Sequence, residues 1–180
     1  MSELKTTKIF LDSEFTGLHQ KTTLISLALV DENGCSFYAE FTDYDESQID
    51  HWLQEHVIDN LLFSENCLFK NDNSISMRGN REEILFELKN WLLTYDRIEI
   101  WSDCLSYDWV LFCDLFGHAF NVPNNVYYIP FDICTLFKIK NIDPDISREW
   151  FIENNSQDHK HNALYDASVI KRCYEKLIKL

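Results

Sequence analysis

Between Lys8 and Phe41 the chain carries three short runs rich in apolar and aromatic residues: KIFLDSEF at 8–15, TLISLALV at 23–30 and CSFYAEF at 35–41. Each has the length and composition of a strand, and DENG joins the second to the third as a tight hairpin turn. An antiparallel three-strand meander follows. In the first run Ile9, Phe10, Leu11 and Phe15 make both faces apolar, which places that strand at the centre of the sheet.

Downstream, helical spacing begins near Ser47 and runs through Ile49, Leu53, Val57 and Leu61, with Trp52 on the same face. Residues 64–79 are polar and loop-like. A second helix is expected over about 80–95, where Ile84, Leu85, Leu88, Trp91 and Leu92 recur and Asn80 or Gly79 precedes acids in the first turn. RIEIWSD at 97–103 reads as a strand. SYDWVLFCDLFG at 106–117 reads as a short buried helix capped by Ser106 and stopped at Gly117. VYYIPFDI supplies a fifth strand or strand-like edge, and a closing helix runs from about Ala163 to Lys179. The sum is an α/β chain with a mixed five-stranded sheet flanked by helices, the layering of ribonuclease-H-like folds. With only four glycines and three prolines there is no linker, so residues 1–180 are expected to form one domain.

The charge limits the partners. Sixteen Lys and Arg against 30 Asp and Glu give −14, which opposes unassisted binding to a polyanion unless some acids hold divalent cations. Six cysteines without a CxxC pair read as reduced, buried thiols. No apolar leader and no membrane-length apolar window is visible, and the expectation is a cytoplasmic protein with no membrane partner.

Several acids sit where acids are unfavourable. Asp12 and Glu14, two apart on the apolar strand, point the same way, and burying both charges costs roughly several kcal/mol unless protons or cations neutralise them. Asp166 shares a helix face with Ile170, Cys173 and Leu177. Asp108 stands in the same relation to Leu111, Phe112 and Leu115. Asp103, at the end of the preceding strand, competes with Asp108 for a ligand role, though a strand end favours a solvated acid. His161 precedes Asp166 by five residues, about 140° away if both were helical, so it can join the acids only from a loop. There it could act as a general base.

These blocks resemble the DEDDh branch of the DnaQ-like exonucleases, which includes RNase T, oligoribonuclease and the proofreading subunits of DNA polymerases. FLDSEFTGL is similar to the first family block, CLSYDWVLF to the second and HNALYDA to the third, in the family's order. LISLALVDENG, HWLQEHV and IWSDCLSYDWVLFCDLFG most resemble a bacterial subgroup of single-domain exoribonucleases. The resemblance implies a 3′-to-5′ exoribonuclease that releases nucleoside 5′-monophosphates from single-stranded or short RNA 3′ ends. It implies Asp12, Glu14 and Asp166 around one Mg²⁺, Asp12 bridging to a second that Asp108 supports through water, Mn²⁺ as a substitute, and His161 deprotonating the attacking water. It further implies that Phe15, Thr16, Gly17 and Leu18 hold the terminal nucleotide, and that the chain pairs as a homodimer. For Phe15 and Leu18, core packing is the competing expectation. Ser13 and Phe15 depart from the residues common at their places and blur the substrate. A proofreading-like DNA exonuclease and a catalytically silent nucleic-acid-binding scaffold are the alternatives. A phosphatase is disfavoured because no GxxxxGK[ST] loop is present.

Overall fold

The computed structural model of the protein describes residues 4–153 and 160–180. Strands β1 (Thr6–Phe15), β2 (Leu24–Asp31) and β3 (Ser36–Phe41) form the expected meander, β2 antiparallel to both of its neighbours. In the DENG turn, Asp31 Oδ1 accepts the Asn33 and Cys35 N–H groups, each at 2.8 Å. β1 is central as its two apolar faces require, because its other edge pairs in parallel with β6 (Arg97–Ser102). β7 (Phe131–Asp132) lies beyond β6.

Among the described residues the sheet has seven strands, ordered β4-β5-β3-β2-β1-β6-β7, rather than the five expected. The stretch taken for a polar loop folds as the hairpin β4 (Cys67–Asn71) and β5 (Ser74–Gly79). Ile75, Met77 and Gly79 are buried in alternation, a period of two already present in SISMRG. The expected fifth strand shrinks to β7 and a single bridge from Val126 to Ile98. Pro130 has no N–H to offer a ladder, and Asp132 caps an unexpected helix α4 (Ile133–Ile139) by accepting from Cys134 and Thr135.

The helix expected from Ser47 to Leu61 is instead α1 (His51–His56), capped by Asp50 and flanked by 3₁₀ turns. Leu53 and Val57 are buried, but Trp52 is 48% exposed and does not share their face. α3 (Leu105–Leu115) begins before Ser106, which therefore does not cap it, and Val110 on its outer face is exposed. α2 (Arg81–Leu92) carries a capping box, Asn80 accepting from Glu82 and Glu83 while the Glu83 carboxylate accepts the Asn80 N–H. A short α5 (Arg148–Phe151) precedes α6 (Ala163–Leu177).

Residue alternation assigns each strand side to a helical layer. Ile9, Leu11, Leu27, Leu29, Phe37, Ile98 and Ile100 pack with Ile84, Leu88 and Phe112 of α2 and α3. The opposite side packs under α4, α5 and α6: Phe10 with Phe137, Phe151 and Ile170, and Ala28, Val30 and Tyr38 with the small residues Ala163 and Ala167. On this α6 side Glu40 is fully buried yet well supplied: Tyr38, Arg78 and the Leu62 and Phe63 N–H groups all donate to it. All six cysteines are free thiols; Cys113 and Cys173 are buried, but Cys104 is exposed, contrary to the expectation for the set. Among the described residues no helix is long and apolar enough to cross a membrane.

Candidate active site

Alternation along β1 sorts its last residues. Asp12 and Glu14 follow Phe10 onto the α6 side, where Asp166, in the first turn of α6, meets them. Ser13 follows Ile9 and Leu11 onto the α3 side and reaches Asp108. A register shift between Glu14 and Phe15 ends the regular pairing with β2 just past the two acids. Ligand atoms of Glu14, His161 and Asp166 lie within 4.8 Å of one another, as do those of Asp12, Asp103 and Asp108. The five residues singled out in the sequence, Asp12, Glu14, Asp108, His161 and Asp166, thus converge at one end of β1.

Asp108 is fully buried. Ser13 Oγ donates to its Oδ1 at 2.6 Å, and Ser102 Oγ donates to its Oδ2. These hydroxyls offset part of the burial, which pushes the carboxyl up to about 7. The sequence marked Ser13 only as a departure from the residue common at its place, and did not single out Ser102. The signal was the alternation that sets Ser13 opposite Asp12 and Ser102 beside Ile98 and Ile100.

His161 lies in the loop before α6, one residue ahead of the N-cap Asn162, with φ of 65°. That left-handed turn lets the His161 N–H donate to Asp166 Oδ2 at 2.9 Å. The imidazole presents an edge contact to Trp52 at 5.0 Å between ring centres, and His56 stands 6.2 Å away. Burial, then Lys160 and His56, lowers the His161 pKa, so the ring is neutral and able to accept a proton near pH 7.

The remaining acids raise one another. Burial, then Asp108, Glu14, Asp166 and Asp103, pushes Asp12 well above the ordinary range. Burial, then Asp166 and Asp108, lifts Glu14 to about 8. Burial lifts Asp166 to about 7 against the His161 N–H that lowers it. Asp12 Oδ2 is buried and has no hydrogen-bond partner among the described residues. Clustered carboxylate oxygens, one without a donor, are the chemistry of a divalent-cation site. A cleft of about 450 Å³ opens over them, lined also by Asp103, Arg148 and Lys160.

Of the residues expected to touch substrate, Phe15 is half-buried and stacks on Tyr107 with ring centres 5.3 Å apart. Thr16 is buried and donates to Gln48 Oε1 at 2.7 Å, and the Gly17 N–H donates to Thr22 Oγ1 at 3.0 Å. Leu18 is 73% exposed, so core packing does not explain it. No signal in the sequence marked Arg148; helical spacing placed Trp52 on the face of Leu53 and Val57, and Asp103 stood as a competitor of Asp108 at a strand end that favours a solvated acid. Asp103 instead lines the cleft and meets Arg148 Nε at 3.3 Å.

Among the described residues, a seven-stranded mixed sheet with helices on both sides and acids gathered at the end of the interior strand β1 is a ribonuclease-H-like fold. Superposition agrees. Cell-death related nuclease 4 (CRN-4) matches with a TM-score of 0.66 at 14% identity, over 96% of this chain and 64% of that one. The Neurospora crassa Pan2 catalytic unit matches with a TM-score of 0.50 at 18% identity, over 99% of this chain and 28% of that one. The chain therefore spans under two thirds of either solved protein, and these likenesses concern the fold alone. Residues 7–178 match the family described as the 3′-5′ exoribonuclease Rv2179c-like domain, and the chain belongs to that family. Two curated relatives, the 3′-5′ exoribonucleases Rv2179c and MT2234.1 of Mycobacterium tuberculosis strains H37Rv and CDC 1551, are each 29% identical over 121 residues, 66% of this chain and 67% of theirs.

Proposed function

We propose that the chain hydrolyses RNA from its 3′ end, releasing nucleoside 5′-monophosphates, with Asp12, Glu14, Asp108, Asp166 and His161 as its active-site residues. The observation that carries this reading is the orphaned, buried Oδ2 of Asp12 amid acids that burial and mutual repulsion hold above their ordinary range. Asp12, Glu14 and Asp166 would hold one Mg²⁺, and Asp12 would help hold a second that Asp108 supports through water, with Mn²⁺ able to replace either. Two such ions supply Lewis-acid stabilisation of the attacking and leaving oxygens of an in-line displacement.

The protein's own groups do the rest. His161, neutral near pH 7 and tied to Asp166 through its backbone, takes a proton from the water on a ring nitrogen. A P–O bond forms to that water and the P–O3′ bond breaks, leaving a 3′-hydroxyl on the shortened chain and the phosphate on the released nucleotide. Phe15, Thr16, Gly17 and Leu18 hold the terminal nucleotide, the exposed Leu18 against its base. Trp52, half-exposed beside His161 and stacked on His56 with ring centres 4.7 Å apart, adds an aromatic edge to the same rim. With a net charge of −14, grip at a 3′ end suits the chain better than a long phosphate track.

The test uses 5′-labelled single-stranded RNA with Mg²⁺ or Mn²⁺. A ladder shortening stepwise from the 3′ end is expected, circular RNA of the same sequence should persist, and Asp12→Ala should remove the ladder. Cleavage of the circle would sink the exonuclease reading. Matched DNA separates sugar preference, which supports RNA if the ladder fails without 2′-hydroxyls. The reading includes one domain over residues 1–180, a homodimer and a cytoplasmic location, checked by limited proteolysis, sedimentation and fractionation.

A further inference from the structure

We infer that Asp103 is a fifth carboxylate of the cation site, presented to the cleft by Arg148, and that Asp108 supports the same site from the opposite side of the sheet without reaching the cleft. The inference rests on the hydrolase reading above and reassigns the acid nearest the second cation.

Placement separates the two acids. In β6, Ile98 and Ile100 pack with the α3 layer, and Ser102, the next in that alternation, donates to Asp108. Trp101 packs with the α6 layer, and Asp103 follows it toward the same side, where the cleft lies. Asp12, Glu14, Asp103 and Asp166 line that cleft, and Asp108 is not among its walls. The Asp108 residue is 0% exposed, with a serine hydroxyl on each oxygen; the Asp103 side chain keeps 23% of its surface open. A carboxylate oxygen of Asp103 nevertheless lies within 4.8 Å of one on Asp12 and one on Asp108. The donorless Oδ2 belongs to Asp12, which is itself only 9% exposed. A cation entering from the cleft to satisfy that oxygen meets Asp103 before Asp108.

Arg148 is fixed independently of Asp103. Its Nη1 donates to the Pro144 and Ile146 carbonyls at 3.0 and 2.7 Å, and its Nη2 reaches Cys134 Sγ at 3.0 Å. Its guanidinium carbon lies 4.9 Å from the centre of the Phe137 ring. Only Nε touches Asp103, at 3.3 Å, a single contact rather than the bidentate pairing of a strong Arg–carboxylate bridge. That contact orients the acid while leaving it free to bind a cation. Arg148 is thus a positioning residue.

The test titrates Mn²⁺ into the purified chain and reads free ion by electron paramagnetic resonance, with thermal melting of every variant. The wild type is expected to bind two ions. Asp103→Asn, which keeps the shape and can still accept from Arg148, should weaken the second ion at least about tenfold with an unchanged melting midpoint. Arg148→Met should weaken it by a smaller factor, the scale of a lost orienting contact. Asp103→Asn binding both ions as the wild type does would overturn the inference, leaving Asp103 as the counter-ion of Arg148. If Asp103→Asn does not fold, the double variant Asp103→Ala/Arg148→Met, which removes both charges together, is judged by the same criterion. RNA shortening by the wild type in the same buffer keeps the two readings apart. An active wild type beside an Asp103→Asn variant of unchanged Mn²⁺ binding defeats only this inference, whereas an inactive wild type that binds two ions defeats the hydrolase reading.

Discussion

The two sides of the sheet at the end of β1 handle their acids differently. On the α6 side Asp12, Glu14 and Asp166 border an open cleft, with the His161 N–H donating to Asp166 and Asp12 Oδ2 left without a donor among the described residues. On the α3 side Asp108 is sealed from solvent and supplied by two serine hydroxyls. Both arrangements concentrate negative charge, but only the first leaves oxygens that a mobile ion can reach. The sealed side provides a fixed field and a rigid support.

Four measurements break or sharpen that contrast. The largest effect is expected at Asp12, whose orphaned oxygen sits among the acids of both sides: Asp12→Ala should lower RNA hydrolysis by at least about 1,000-fold, the scale of losing Lewis-acid stabilisation worth several kcal/mol. His161→Ala comes next, with a loss of roughly 100- to 10,000-fold in single-turnover rate from removing a general base. A variant as fast as wild type would put the proton acceptor elsewhere in the cleft. Ser102→Ala and Ser13→Ala test the sealed side, each lowering the rate about 10- to 100-fold by leaving Asp108 a donor short. Should either serine cost as much as Asp12, the distinction between reachable and supporting acids collapses.

The smallest effect is on stability. In the metal-free fold Glu14, Asp108 and Asp166 keep their protons to about 8, 7 and 7, against ordinary values of 4.5, 3.8 and 3.8. Between those limits the folded state binds more protons than the unfolded chain, so metal-free stability falls as pH rises from about 4 to 8. The melting midpoint in EDTA should drop over that window. Mg²⁺ should restore it more at pH 8 than at pH 5.5, because it competes with fewer protons at the higher pH. A midpoint in EDTA that climbs steadily to pH 8 would show the acids ionised without a cation.

Much of this was legible in the sequence for reasons that can be named. The meander followed from DENG and three strand-length runs, and β1 was placed centrally because it is apolar on both sides. Asp108 and Asp166 stood out because an acid on an apolar helical stripe contradicts its neighbours, and His161 because five residues cannot be spanned on one helix face. What escaped depended on contacts distant in the chain. SISMRG shows its alternation, yet β5 is secured by parallel pairing to β3, and nothing local announces that partner. Arg148 is defined by carbonyls, a thiol and a ring brought together from α4 and the turn before α5, a meeting no spacing encodes. Trp52 was misread because a six-residue helix between two 3₁₀ turns lacks the length for periodicity to choose its inner face.

Glu40 gives this molecule an internal standard. It is as deeply enclosed as any acid in the chain, but a phenol, a guanidinium and two amides meet its charge. Soaking such a residue in a divalent salt should change nothing, since it has no coordination left to offer. Paramagnetic broadening by Mn²⁺ would therefore be expected to erase signals around Asp12 and leave those around Glu40 in place, apart from losses set by distance. In a chain this acidic, the appetite for cations is a property of the few carboxylates that the fold leaves short of donors, and the overall charge is a poor guide to it.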